Sequence, residues 1–375
     1  MTIQEVNQKY GSNIPEILAP GEAGNPEKWE AEGRARLKAI LQREEYGLYP
    51  DYDKKNTTFK IIEDCPVLGK PIHRRMIDIT TNHGGRSHTF TAYLFTPEGA
   101  ENVPCFLYIC RHSWMARSVW RGILHENFPF EEICRRGYGV IYYDTDSIAQ
   151  ENLDDFEDYK RGLFQTLAID KSRGDDLGAI GLWAFGAMRV LDYLETDPAV
   201  DATKVAVLGH SRLGKTALLA GAMDERFALT ISNSSGAGGA ALFKIKVGEH
   251  VDYMAETIPY WFCQNYTKYV NAEDKMAFDQ HFLLSLVAPR SLYVQSSELD
   301  EWADPNAEFT AAALASQVWE QVYGIPGLVH EGFPAVDTPL HKGSIGYHVR
   351  TGDHYILRWD WDAYMDFADK QFGKK

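Results

Sequence analysis

Little in this sequence suits a membrane, a disulfide framework or a polyanion. No apolar run approaches the roughly 18 residues that a membrane span needs, and mean hydropathy is −0.34. Cysteine is scarce: 5 residues in 375, at Cys65, Cys105, Cys110, Cys134 and Cys263. The odd count and irregular spacing exclude a paired scaffold, and without a Cys-x-x-Cys pair nothing suggests zinc. Basic residues are outnumbered, 38 Lys and Arg against 53 Asp and Glu, for a formal net charge of −15. Proteins that bind nucleic acid are ordinarily basic, so nucleic acid is disfavoured as a partner. The first ten residues carry no basic region followed by an apolar stretch, so no signal peptide is expected. With unpaired cysteines, that implies a cytoplasmic setting, although a processed secreted form would read the same.

What is present suits a large α/β protein. Hydrophobic residues make up 45% of the chain and aromatics 13%, enough for one large domain. There is no internal repeat. Residues 1–28 are polar, with Pro15, Pro20 and Pro26, and read as an extended arm. Residues 29–46 have helical period and stop at Gly47 and Pro50. Segments 76–80 and 90–95 alternate around His83-Gly-Gly-Arg86, an antiparallel hairpin. From residue 104 onwards, short apolar runs near 106, 139, 205, 229, 291 and 345 alternate with helical segments. That order implies a mostly parallel sheet. The polar stretch 144–176 reads as a functional insertion. Residues 179–195 read as a helix apolar on one face. The expected organisation is an N-terminal arm and helix (1–56) packed on a single catalytic domain (57–375).

The chemistry centres on Val205-Ala-Val-Leu-Gly-His-Ser-Arg-Leu-Gly-Lys215. It reads as a strand buried on both faces, a sharp turn, and a small-residue helix. A serine at such a turn is held exposed above a sheet, with its neighbour's N–H aimed at an oxyanion. Ser211 is therefore the candidate nucleophile. It stands in mid-chain with histidines near the end, the layout of the α/β-hydrolase fold.

A serine hydroxyl needs a general base. His210 is adjacent to Ser211, so its side chain points elsewhere and packs or gates the site. His73, His83 and His88 lie in the hairpin, and His281 reads as a structural cap. His354, after the last strand, is the preferred base, with His341 and His348 as alternatives. The orienting carboxylate is expected in the loop after the strand near 291. That loop offers Glu298, Asp300, Glu301 and Asp304. Asp300 best fits the turn, and Asp304 also suits a helix cap. Lys215 lies one helical turn beyond Ser211, and Arg212 adds a second cation. Two cations beside a serine suit an oxygen-rich acyl group better than a lipid.

Gly209-His-Ser-Arg-Leu-Gly-Lys215 resembles the Gly-Cys/His-Ser-Arg-x-Gly-Lys signature of the glucuronoyl esterases, carbohydrate esterase family 15. Ser234-Ser-Gly-Ala-Gly-Gly239, Val247-Gly-Glu249, Asp279-Gln-His-Phe-Leu-Leu284, Ala288-Pro-Arg290 and Trp302-Ala-Asp-Pro305 are similar to further blocks of that family, in order. The resemblance implies an α/β-hydrolase that cleaves esters of the C6 carboxylate of (4-O-methyl-)glucuronic acid, without metal or organic cofactor. Its implied partner is a small-molecule or oligosaccharide uronate ester. Carried over by position, Ser211 is the nucleophile, His354 the base and Arg212 an oxyanion contributor, while Lys215, Glu249 and Trp302 meet the sugar. One position departs. Many members carry the triad acid as glutamate where this chain has Ser234, so the acid must come from the later loop, which favours Asp300. Competing readings are an acetyl (xylan) esterase and a non-catalytic carbohydrate-binding protein.

Overall fold

Among the described residues, one sheet of nine strands runs in the order β1-β2-β3-β5-β4-β6-β7-β8-β9. The computed structural model describes the chain apart from positions 114, 116–123, 151–160, 246 and 375. Strands β1 (Thr57–Pro66), β2 (Ile72–His83) and β3 (Arg86–Pro97) form an antiparallel meander whose second hairpin turns at Gly84 and Gly85. β3 pairs antiparallel with β5 (Gly139–Asp144). From there β4 (Val103–Cys110), β6 (Val200–His210), β7 (Leu229–Asn233), β8 (Ser291–Ser297) and β9 (Ile345–Arg350) continue in parallel. Parallel strands need crossovers, and helices on both faces supply them. Helix Ala179–Leu194 leads into β6, and helix Arg212–Met223 leads out of it.

Two expectations need correction. Residues 1–28 are not a plain arm. Ile3–Tyr10 is a helix, started by a capping box in which Thr2 and Glu5 satisfy each other's backbone N–H groups. Ile3, Val6, Ile14 and Ile17 are buried in the main core. Helix Ala179–Leu194 is buried on every face, not one: it packs on strands of the sheet and against helix Arg212–Met223, and the Tyr260 and Trp261 carbonyls accept its first N–H groups. Its Arg189 and Asp192 pair with each other at 2.8 Å, and the Arg189 guanidinium lies over Tyr52 and Phe185.

The helical stretch through residues 29–46 contains wide turns at Trp29–Gly33 and Gln42–Tyr46. A Cβ at Gly33 would come within 2.4 Å of the Trp29 ring, which accounts for a glycine inside a helix. All five cysteines are free. No helix among the described residues is long and apolar enough to cross a membrane. The middle of the polar stretch 144–176 lies outside the described residues.

Candidate active site

The carboxyl ends of β6, β7, β8 and β9 meet at one edge of the sheet, where ligands of open parallel sheets bind. Ser211 follows β6. Its φ of 60° and ψ of −129° are unfavourable for a residue with a Cβ, as expected at a nucleophile turn. The turn is tight enough that a Cβ at Gly209 would fall 1.9 Å from the Leu213 carbonyl oxygen. The late glycine also has a physical reason. A Cβ at Gly214 would press on Ser235 and on the Asn233 carbonyl at 3.0 and 3.1 Å. Helix Arg212–Met223 starts directly after Ser211, so the positive end of its dipole lies at the Ser211 side chain.

A cavity of about 310 Å³ opens above this turn. Ser211, Arg212, Lys215, Glu249, Trp302 and His354 all line it. Asp300, the preferred carboxylate, is not among its walls. It stands behind His354 and bonds it: His354 Nδ1 lies 2.5 Å from Asp300 Oδ2. A carboxylate only accepts, so Nδ1 carries the proton and Nε2 keeps its lone pair. The His354 side chain is 39% exposed and Asp300 3%. Asp300 Oδ1 accepts from the Ala303 N–H at 3.2 Å.

The alternatives are placed elsewhere. Glu298 and Glu301 are exposed. Asp304 is occupied by the N–H groups of Ala307 and Val247. His348 is buried between Asp360 and Tyr293, and His341 bonds Tyr293 from the other side.

Lys215 is not a surface lysine. It is 2% exposed, with its ammonium 2.6 Å from Glu249 and a second bond to the Ala237 carbonyl. The pair puts a cation and an anion at one wall, a combination suited to hydroxyl groups. Trp302 is 47% exposed at the rim, edge-on to Tyr253.

Sequence reasoning missed Trp261, which also lines the cavity. Its ring lies 4.9 Å from the Arg212 guanidinium and 5.8 Å from the Lys215 ammonium. No motif pointed to it; it stands in a stretch rich in aromatics, with Tyr253, Tyr260, Phe262 and Tyr266 nearby. His210 lies against His354, with ring centroids 4.6 Å apart. Asn233 Nδ2 donates to Tyr364, leaving Asn233 Oδ1 to accept from His210 Nδ1. Desolvation, then the facing His354, holds His210 well below the usual histidine range, so it stays neutral. Among the described residues no group of three or more metal-ligating side chains is assembled.

Glu308 is a buried support that the sequence did not signal. It accepts from the Ser235 and Gly236 N–H groups at 2.8 and 2.9 Å and from Ser296 Oγ at 2.6 Å. Burial outweighs these donors and, with Asp300 nearby, pushes its carboxyl up to about 8. A raised carboxyl contributes stability that is complete below its unfolded value and lost as pH rises through the folded one. Glu308→Gln keeps the shape and removes the titration. It should therefore gain on the parent protein as pH rises from about 5 to 8, read as the difference in Tm. A difference that stays constant over that range would show that Glu308 does not titrate there.

Known proteins resemble this chain in sequence and fold. A family model described as glucuronyl esterase, fungi, matches residues 79–323. A carbohydrate esterase of an unknown prokaryotic organism is 35% identical over 96% of this chain and 89% of its own. The solved glucuronoyl esterase from Solibacter usitatus superposes with a TM-score of 0.86 at 32% identity, over 96% of this chain and 98% of that one. A promiscuous family 15 carbohydrate esterase from a marine bacterial metagenome gives 0.84 at 32% identity, over 96% and 97%. A 4-O-methyl-glucuronoyl methylesterase of the fungus Wolfiporia cocos is 36% identical over 55% of this chain, which spans 50% of that protein.

Proposed function

The chain belongs to the glucuronoyl esterases of carbohydrate esterase family 15, a family of carboxylic ester hydrolases, and from that premise we propose that it hydrolyses esters of (4-O-methyl-)glucuronic acid through Ser211, His354 and Asp300. His354 Nε2 takes the Ser211 proton as Oγ attacks the C6 carbonyl carbon. The carbonyl electrons move to the oxygen, which faces the N-terminus of helix Arg212–Met223 and the Arg212 side chain. The C–O bond to the alcohol then breaks, and His354 returns the proton to the leaving oxygen. A water molecule, deprotonated by His354 in the same way, then attacks the acyl carbon; the bond to Ser211 Oγ breaks, His354 returns the proton to Oγ, and glucuronate leaves. Asp300 holds the base in its Nδ1–H tautomer throughout.

The observation that carries this reading is the buried Lys215–Glu249 pair in the same cavity as Ser211 and His354. An acetyl group has no hydroxyls for such a pair to hold. A uronic acid has several, and the Trp302 and Trp261 rings suit the apolar face of a sugar.

The test compares benzyl glucuronate with methyl galacturonate, acetylated xylan and 4-nitrophenyl acetate. Glucuronate esters should give the highest kcat/KM, and Ser211→Ala should abolish it. Turnover of acetyl esters alone would sink the uronate assignment and favour an acetyl esterase. Undiminished hydrolysis by Ser211→Ala would sink the catalytic reading as a whole.

A further inference from the structure

His354 lies in segment 351–355, between β9 and helix Arg358–Gln371, outside any helix or strand. Its imidazole projects into the cavity and is 39% exposed. A base on irregular backbone needs that backbone fixed, because a misplacement of about 1 Å costs on the order of 100-fold in rate. We infer that Arg350 is the positioning residue for this base, gathering the loop around its buried guanidinium; the inference rests on His354 being the base.

Arg350 is the last residue of β9 and is 4% exposed. Its Nη2 donates to the carbonyls of Asp353 and Tyr355 at 2.9 and 3.0 Å. These residues flank His354 on either side. Its Nη1 donates to the Thr351 carbonyl, so three alternate carbonyls of one loop converge on one cation. Gly352 makes the wrap possible. It adopts a φ of 102°, and a Cβ there would lie 3.3 Å from Nη1.

The guanidinium is itself held from two other directions. Its Nε donates to Asp360 Oδ2 at 3.1 Å, and Asp360 also takes the Leu357 N–H that opens the last helix. Its Nη2 also reaches Ser297 Oγ at 3.0 Å. Ser297 ends β8, and its carbonyl accepts the N–H of Asp300. The main chains of the two loops are joined as well, by Glu298 N–H to the Arg350 carbonyl and Leu299 N–H to the Gly352 carbonyl. Arg350 thus binds both the loop that carries the base and the strand end that leads to its carboxylate. The planar fork of an arginine can serve this many directions at once; a lysine ammonium cannot.

The test is a double-mutant cycle on benzyl glucuronate with Arg350→Gln, His354→Ala and the two combined. Arg350→Gln should lower kcat by about 100-fold with KM within about threefold, because the sugar contacts stay and the base drifts. Arg350→Lys, which keeps the charge against Asp360, should recover part of that loss. In the His354→Ala background, Arg350→Gln should change the residual rate by less than about threefold, since no base is left to position. A kcat near the parent value in Arg350→Gln overturns the inference. So does a loss of equal size in both backgrounds, which would indicate general distortion. If Arg350→Gln does not fold, the same cycle with Arg350→Lys applies the same criteria to a smaller expected loss. Full activity in His354→Ala would instead overturn the proposed function, and this inference with it.

Discussion

Asp300→Asn is expected to lower kcat by about 10⁴, and Glu301→Gln and Glu298→Gln by less than about threefold. The asymmetry follows from what each carboxylate touches. Asp300 has two occupied oxygens, one on His354 Nδ1 and one on the Ala303 N–H. An asparagine there has a single acceptor oxygen. If that oxygen keeps the backbone N–H, the amide NH₂ faces His354 Nδ1, which must then accept. The proton moves to Nε2, and His354 can no longer take one from Ser211. If the oxygen faces His354 instead, the tautomer survives, but no negative charge balances the imidazolium and the Ala303 N–H is abandoned. Glu298 and Glu301 are exposed in the same loop. Their loss removes solvated charge, worth little at this range. The measurements are kcat and KM for benzyl glucuronate, with Tm to show that the variants remain folded. Equal, small losses in all three would mean that the orienting carboxylate lies elsewhere.

That Ser211, His354 and Asp300 would be brought together was legible in the sequence, and the reasons are physical. Ser211 could be read because the turn needs glycine where Leu213 closes over it, and the strand needs an apolar run before it. Asp300 and His354 could be read because loops at the ends of parallel strands must converge. Arg350 and Glu308 could not. Each makes a contact that only the sheet brings about, Arg350 with the Ser297 hydroxyl 53 positions away, and Glu308 with the Ser235 N–H 73 positions away. No local pattern records such a contact. The extended-arm reading of residues 1–28 was an avoidable error. Prolines at 15, 20 and 26 outweighed the Thr2-x-x-Glu5 capping signal and the buried Ile3 and Val6. Helix Ala179–Leu194 failed differently. Its periodicity showed one apolar face, and nothing local says that the sheet, helix Arg212–Met223 and the Tyr260–Trp261 segment together enclose it.

Lys215 and Glu249 allow stability and recognition to be pulled apart. Lys215→Met leaves the Glu249 carboxylate desolvated and without the ammonium 2.6 Å away. Breaking a buried pair from one side costs about 3–5 kcal/mol, so this variant should unfold at markedly lower denaturant. Glu249→Gln should be destabilised as well, with Lys215 still held by the Ala237 carbonyl. The double variant Lys215→Met/Glu249→Leu removes both charges and refills the space with apolar atoms. Replacing a buried pair in this way is often close to neutral, so much of the lost stability should return. Activity on glucuronate esters should not. Two hydrogen bonds from charged groups to sugar hydroxyls, at about 1.5–3 kcal/mol each, correspond to a loss of about 10² to 10⁴ in kcat/KM. Hydrolysis of 4-nitrophenyl acetate, which has no sugar hydroxyl to lose, should fall by less than about threefold. The outcome that counts against the assignment is a double variant that regains stability and keeps its kcat/KM for benzyl glucuronate. The pair would then be a fixture of the cavity wall, and the preference for an oxygen-rich acid would have to come from Arg212 and the two tryptophans.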